Sequence, residues 1–383
     1  MNLNDCLNFN DFRKLAKKKL PAPIFHYIAG GSDDERTLNR NTEAFDDCDL
    51  VPKILANVGK PDLSTTVFDR KISMPIFLSP AAMQRLYHPE GDKASARAAE
   101  KFNTFYSMST MSNNSIEQIA NLSSGPKLFQ LYIHKDQSIT DDLIDRCKRA
   151  NFDGLCLTVD TIVAGNRERD HRTGFTTPPK LTLKSLFSFA IKPKWVFDYL
   201  TNEKFELSNV KNKTDKGTNI TKSVIEYINE QYDPGMNWSD AEYVVKRWDK
   251  PFAIKGVMSV EDAKRAVDIG CTAIMISNHG GRQLDGSRSP FDQIKLISDA
   301  VGDKVDIILD GGVRRGTHVL KAIAAGAKAC SFGKAFLFSL SAGGQKGVEK
   351  LLQNMHDEIQ RNMILMGCKN LKDLNYSRLI FRR

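Results

Sequence analysis

Eight short apolar runs, most of them separated by a helix-like segment, leave this chain few architectures to adopt. They are Met74 to Pro80, Thr104 to Met108, Lys127 to Tyr132, Gly154 to Asp160, Pro251 to Gly256, Ala273 to Asn278, Asp306 to Gly312 and Ala329 to Lys334. Strands covered on both faces read as unbroken hydrophobic runs, whereas half-exposed strands alternate, so each run reads as a buried parallel strand. Segments such as Asp92 to Phe102, Thr140 to Ala150, Val260 to Ile269, Thr317 to Ala325 and Gly347 to Leu365 supply the intervening helices. Ser259 with Asp262 marks a capping-box start for one of them. Eight strand–helix units argue an α/β fold of the (β/α)8 TIM-barrel type over a doubly wound sheet. The first unit does not open with Gly-x-Gly-x-x-Gly, which counts against a nicotinamide-binding domain.

The expected organisation is one domain over residues 1–383: a helical lead-in at 1–70, the barrel at 74–365 and a basic insertion at 172–222. In the lead-in, Phe9 to Leu20 is predicted as a basic amphipathic helix stopped at Pro21-Ala22-Pro23. Ile24 to Ala29 follows as a short helix ended by Gly30-Gly31, and Asp33 to Asn41 is expected to be charged and exposed.

Between the fourth and fifth strands the rhythm breaks for far longer than a usual connection. Asn219 to Gln231 and Asp240 to Trp248 are the candidates for the fourth barrel helix. Residues 172–222 carry ten Lys/Arg against four acids, a net of +6, while the whole chain has a net of +9. Leu186, Phe187, Phe189, Ile191, Trp195, Val196, Phe197, Tyr199 and Leu200 are interleaved with those cations. That mixture suits the interface of an anionic membrane and equally a lid whose aromatics pack on the barrel rim.

Elsewhere the composition is that of an ordinary globular protein, with 41% hydrophobic and 26% charged residues. The basic balance suits anionic small molecules or lipid, and no nucleic-acid-binding motif appears. Seven cysteines without a Cys-x-x-Cys pair read as thiols of a reducing compartment, and no metal site is expected. The charged N-terminus lacks the apolar core of a secretory signal, and no run approaches the ~18 residues of a membrane span. Location is therefore expected to be cytoplasmic, or peripheral on the inner face of the plasma membrane.

In such a barrel the C-terminal strand ends share one mouth. Read in order, they offer Pro80-Ala81-Ala82, Ser109 with Met111, Gln130 with Tyr132, and Thr158 with Asp160, then Arg167. Lys255, then Ser277, His279 and Arg282, then Asp310-Gly311-Gly312-Val313-Arg314, then Gly333-Lys334 complete the set. Glycines and cations after the last two strands are the usual phosphate-binding arrangement of this architecture. Polar groups at the ends of apolar strands need a shared reason, because unpartnered burial costs a few kcal/mol each. An active site supplies it.

Six stretches carry a family likeness: Phe25-His26-Tyr27 with Gly30-Gly31, His88-Pro89-Glu90-Gly91, Phe129 to Tyr132, Leu157 to Asp160, Asp310 to Gly316, and Ser277-Asn-His-Gly-Gly-Arg-Gln-Leu-Asp285. By them the chain, from about Phe25 to Gly367, resembles the FMN-dependent L-2-hydroxy acid dehydrogenase/oxidase family. The tail from Phe336 to Gly347 and the basic insertion make it most similar to the membrane-associated bacterial L-lactate dehydrogenases of the quinone or cytochrome type.

The resemblance implies FMN as cofactor. It implies His279 as the base, held by Asp160, and Arg282 with Tyr27 and Arg167 on the substrate carboxylate. Tyr132 would meet the substrate hydroxyl, and Lys255 would sit by the flavin N1/C2 carbonyl. Ala82, Ser109, Gln130, Thr158 and Ser277 would line the ring. Asp310 would take the ribityl chain, and Gly312, Arg314, Gly333 and Lys334 the phosphate. Lys334 stands where the family usually has Arg, replacing a bidentate contact by a point charge. Met111 stands at a position that helps select the substrate side chain, and its flexible thioether fits a small apolar group.

The function expected on these grounds is oxidation of L-lactate to pyruvate with electrons passed to a quinone or cytochrome. The alternative is a soluble (S)-2-hydroxy acid (glycolate) oxidase using oxygen. No haem-binding domain precedes the barrel in this sequence, so the acceptor is expected to be a separate molecule. A homotetramer is the assembly that the family likeness implies.

Overall fold

The computed structural model describes residues 1–175, 181–203, 205–210 and 231–382. Its centre is a closed parallel barrel of eight strands: β1 (Ile76–Leu78), β2 (Tyr106–Ser109), β3 (Lys127–Leu131), β4 (Gly154–Thr158), β5 (Phe252–Val257), β6 (Ala273–Ser277), β7 (Asp306–Asp310) and β8 (Ala329–Phe332). Each strand pairs with its sequence neighbours, and β8 closes on β1 with Cys330 opposite Ile76. All eight predicted strands are present. Their side chains are buried almost throughout, which is why the runs lack a polar alternation.

The lead-in forms α1 (Phe9–Lys19), α2 (Ala22–Ala29) and α3 (Arg36–Glu43). The outer layer then comprises α4 (Gly91–Lys101), α5 (Ile116–Leu122) and α6 (Gln137–Arg149). Next come α7 (Glu168–Thr173), α8 (Leu183–Ala190) and α9 (Pro193–Thr201), all inside the long connection, and α10 (Trp238–Trp248). The last four are α11 (Val260–Asp268), α12 (Pro290–Val301), α13 (Gly316–Ala324) and α14 (Lys334–Met366). Of the two candidates for the fourth barrel helix, Asp240 to Trp248 lies in α10, started by a reciprocal cap between Asn237 and Asp240. The other, at 219–231, lies outside the described residues except for Gln231. Ser259 caps α11 as predicted, but the Asp262 carboxylate accepts the Ser259 hydroxyl (2.7 Å) instead of completing the reciprocal bond.

Three features depart from the sequence reading. The lead-in is helical only as far as Glu43; Cys48–Leu50 pairs antiparallel with Leu379–Phe381, and Thr65–Val67 pairs with Arg70–Ile72 as a hairpin. Val67, Phe68 and Ile72 of that hairpin pack with Phe77, Phe105, Leu128 and Met275 inside the barrel, plugging it below the mouth. The segment from Asp33 to Asn41 is not simply exposed, since Thr37 and Asn41 are buried in α3. A helical segment already begins at Lys334, ahead of the predicted one; the backbone leaves helical geometry at Gly343-Gly344, and the predicted helix from Gly347 to Leu365 follows that kink within α14. All seven cysteines are free and buried.

In the insertion, Trp195, Tyr199 and Phe205 pack against the body, with the Trp195 indole donating to the Leu86 carbonyl (2.9 Å). Leu183, Phe187, Phe197 and Leu200 face solvent at 86%, 66%, 65% and 74% exposure, so the aromatics divide between the barrel rim and an open apolar face. Among the described residues no helix is long and apolar enough to cross a membrane.

Candidate active site

Register places the predicted residues on one rung of the barrel. Ser109 lies opposite Gln130, Thr158 opposite Lys255, and Asp310 opposite both Ser277 and Ser331. A cavity opens above this rung. It is lined by Tyr27, Ala82, Ser109, Gln130, Tyr132, Thr158, Arg167, Lys255, His279, Arg282, Asp310, Gly312, Arg314, Gly333 and Lys334, together with Met111. Asp160 and Ser277 stand behind that wall and act through the residues in front of them.

At one edge His279 projects from the turn after β6. Its Nδ1 lies 2.8 Å from an Asp160 carboxylate oxygen and 3.1 Å from the Thr161 hydroxyl. With Nδ1 committed to the carboxylate, the proton-accepting atom is Nε2. Burial pushes the Asp160 carboxyl up, but the His279 and Lys255 charges and its hydrogen bonds outweigh that and hold it below its ordinary value. Asp160 therefore stays ionised and can balance an imidazolium.

The His279 backbone itself is left-handed (φ 57°), an uncommon state for a residue with a side chain and one often found at functional sites. Gly281 follows at φ 71°, and a Cβ there would drive into the Leu38 backbone of α3. The turn and α3 are locked together by a reciprocal amide pair between Asn41 and Asn278 (2.8 and 2.7 Å). Asp285 also accepts from the Thr37 amide at the start of α3 (2.7 Å). Gln283 donates to the carbonyls of Asp160 (3.0 Å) and Val163 (2.8 Å), tying in the loop after β4.

Beside His279, two guanidiniums flank the Tyr27 ring: Arg282 at 4.7 Å and Arg167 at 5.0 Å from its centroid. Arg282 also donates to the Tyr27 carbonyl, and Arg167 is paired with Asp170 at 3.3 Å. Burial, reinforced by Arg167, lowers the Arg282 value, so this cluster favours an incoming anion. Tyr132 is held as the neutral phenol, its pKa raised by burial and then by Asp160.

Deeper in, Lys255 Nζ lies 2.8 Å from both the Ser277 hydroxyl and an Asp310 oxygen. Burial opposes its charge, but Asp310 and Asp160 more than restore it, and the pKa is raised. Asp310 also accepts from Ser277 (2.8 Å), Ser331 (2.6 Å) and Ser79. Burial acts against its charge too, yet Lys255 and these donors bring the carboxyl down to about 2. At the opposite end Arg314 and Lys334 donate to the carbonyls of Val313 and Gly30 (both 2.7 Å), and neither meets a carboxylate among the described residues. Burial lowers Arg314 to about 10 and, with the neighbouring Arg282 and Arg314, takes Lys334 well below its usual value.

These features fit FMN. The Gln130 amide nitrogen and the Thr158 hydroxyl are buried without a partner, as groups awaiting the polar edge of a ring would be. The two uncompensated cations beside Gly312 and Gly333 suit a phosphate dianion. Small residues at Pro80-Ala81-Ala82 leave a flat face. Sequence reading missed Thr161, Ser79 and Ser331. Thr161 is adjacent to the predicted Asp160, and Ser331 is the register partner of Asp310, so chain position and strand pairing were the available signals.

The sequence matches the model of the family described as FMN-dependent dehydrogenase over residues 16–381. Glycolate oxidase of Spinacia oleracea is 38% identical over 372 residues, spanning 97% of this chain and 95% of that protein. The solved structure of the monotopic membrane protein (S)-mandelate dehydrogenase superposes with a TM-score of 0.93 at 31% identity, covering 99% of this chain and 100% of that one. A putative lactate oxidase of Pediococcus acidilactici gives 0.84 at 34% identity, covering 99% and 96%.

Proposed function

Because the chain belongs to the FMN-dependent dehydrogenase family and so uses FMN, we propose that it oxidises a short 2-hydroxy acid, glycolate foremost, to the 2-oxo acid. The curated relatives named glycolate oxidase favour this over the lactate-to-quinone reading drawn from sequence. The observation that carries it is the convergence of the Asp160–His279 pair with Arg282, Arg167 and Tyr132 on one end of the FMN cavity.

The substrate carboxylate sits against the Arg282 and Arg167 guanidiniums with Tyr27 between them. The Tyr132 phenol hydrogen-bonds the substrate hydroxyl. His279 Nε2 takes the proton that leaves the substrate, and Asp160 orients the ring and neutralises the resulting cation. Bound FMN supplies the two-electron acceptor, held at its phosphate by Arg314 and Lys334 and at its ring by Gln130, Thr158 and Lys255. Met111 limits the room left for the substrate side chain.

Anaerobic addition of glycolate or L-lactate to the holoenzyme is expected to bleach the flavin, with mandelate slower by about tenfold or more because a phenyl group must displace Met111. No bleaching by any short 2-hydroxy acid would sink the assignment.

For the electron acceptor, the relatives named glycolate oxidase support oxygen. A second reading, transfer at a membrane, is favoured by the exposed apolar side chains of α8 and α9 amid the basic insertion and by the likeness to a monotopic membrane protein. Replacing Leu186, Phe187, Phe197 and Leu200 together by serine is then expected to move the enzyme from pelleted phosphatidylglycerol vesicles to the supernatant. Unchanged partitioning removes this reading.

A further inference from the structure

Tyr132, whose phenol is assigned to the substrate hydroxyl, stands one residue past β3 in the wall of the FMN cavity. Against its ring lies Tyr232, near the end of the long connection between β4 and β5. The two rings stack at 4.4 Å between centroids, with 28° between their planes. Both residues are buried, and Tyr232 stands behind the cavity wall without forming part of it. A tyrosine ring is steered by two side-chain torsions, and a flat face packed this closely restricts both. The direction of the Tyr132 phenol oxygen is thereby set from behind.

Tyr232 is fixed in its turn by the residues that follow Tyr132. Its backbone pairs with His134 in an antiparallel bridge, and the Lys135 amide donates to the Gln231 carbonyl (2.9 Å). The His134 imidazole meets the Tyr232 ring edge-on (5.7 Å, 86°), and the His134 amide donates to the Thr140 hydroxyl in α6 (3.1 Å). Burial pulls the His134 imidazole down to about 4, so the group that braces the ring is uncharged at neutral pH. We propose that Tyr232 is a positioning residue for the reaction, holding the Tyr132 phenol at the angle from which it meets the substrate hydroxyl. Through its last residues the long connection thus governs a strand end far earlier in the chain. The proposal rests on the reading that a 2-hydroxy acid reduces the flavin with Tyr132 at its hydroxyl.

The test uses holoenzyme without oxygen and stopped-flow reduction by glycolate. Tyr232→Leu removes the flat face, and Tyr232→Met fills the space with a flexible chain should the leucine variant not fold. Either is expected to lower the limiting reduction rate about tenfold while changing the glycolate Kd less than about threefold, because a misaimed phenol is felt chiefly in the transition state. Tyr232→Phe keeps the flat face and is expected to restore the rate to within about twofold of wild type. In a Tyr132→Phe background no phenol remains to be aimed, and Tyr232→Leu is expected to add no further loss. Additive losses in that double variant, or a Tyr232→Leu enzyme reduced at the wild-type rate, overturn the proposal. Fluorine NMR of fluorotyrosine-labelled holoenzyme reads the ring without substrate. The Tyr132 signal, assigned by its absence in Tyr132→Phe, is expected to be single in wild type and to broaden or split in Tyr232→Leu; a single sharp signal in both overturns the clamp. Failure of glycolate and lactate to bleach the wild-type flavin strikes the proposed reaction instead, and the fluorine signal reads the clamp independently of it.

Discussion

Glutamine in place of His279 is expected to leave a yellow, folded enzyme whose flavin is bleached by glycolate roughly 10²- to 10⁴-fold more slowly, the usual worth of a positioned proton acceptor. The amide can occupy the space and bond to Asp160, but it cannot take a proton. Position 279 is left-handed, and glutamine tolerates that backbone less well than asparagine. His279→Asn is therefore the companion variant, and both are expected to be slow. Stopped-flow reduction of the two measures it; a variant reduced at the wild-type rate ends the role given to the imidazole.

Asp310→Asn is expected to cause the largest loss of stability. It removes one partner of a buried ion pair and leaves Lys255 with Asp160 as its nearest remaining countercharge, a change that typically costs about 3–5 kcal/mol. Denaturant unfolding of flavin-loaded and flavin-free protein measures it, and a loss under about 1 kcal/mol would mean that the pair is poorly coupled. Acid titration adds a second reading. The Asp310 carboxyl is held at about 2, below the ordinary carboxylate value, so its stabilisation is complete above that ordinary value and fades as pH falls towards 2. The asparagine variant has no such proton to bind and should lose that part of the acid limb.

The barrel was legible because its strands are hidden on both faces, which writes them as uninterrupted apolar runs. The site was legible because many of its polar residues close such a run at the same end, although Tyr27 and Arg167 come from other segments. Strands of three residues, such as Thr65–Val67, leave no period to detect. For another reason, the helix α3 was not singled out within the helical lead-in. Its sequence Arg-Thr-Leu-Asn-Arg-Asn-Thr-Glu is polar, no side chain caps its start, and its buried face meets the amides of a loop instead of an apolar core. Within the stretch from Ser277 to Asp285, the sequence reading assigns roles only to Ser277, His279 and Arg282. In the structure His279 and Arg282 face the cavity, while Asn278, Gln283 and Asp285 fasten the turn to α3 and to the loop after β4. Such support cannot be read from spacing, because the partners lie more than a hundred positions away.

That fastening has a consequence during synthesis. The amide pair joins residues 237 positions apart, so α3 leaves the ribosome long before the turn it grips exists. Until the sixth strand has been translated, Asn41 has nothing but water to bind. The substrate-facing wall therefore assembles late, and a nascent chain halted before that point carries a lead-in without a roof to hold.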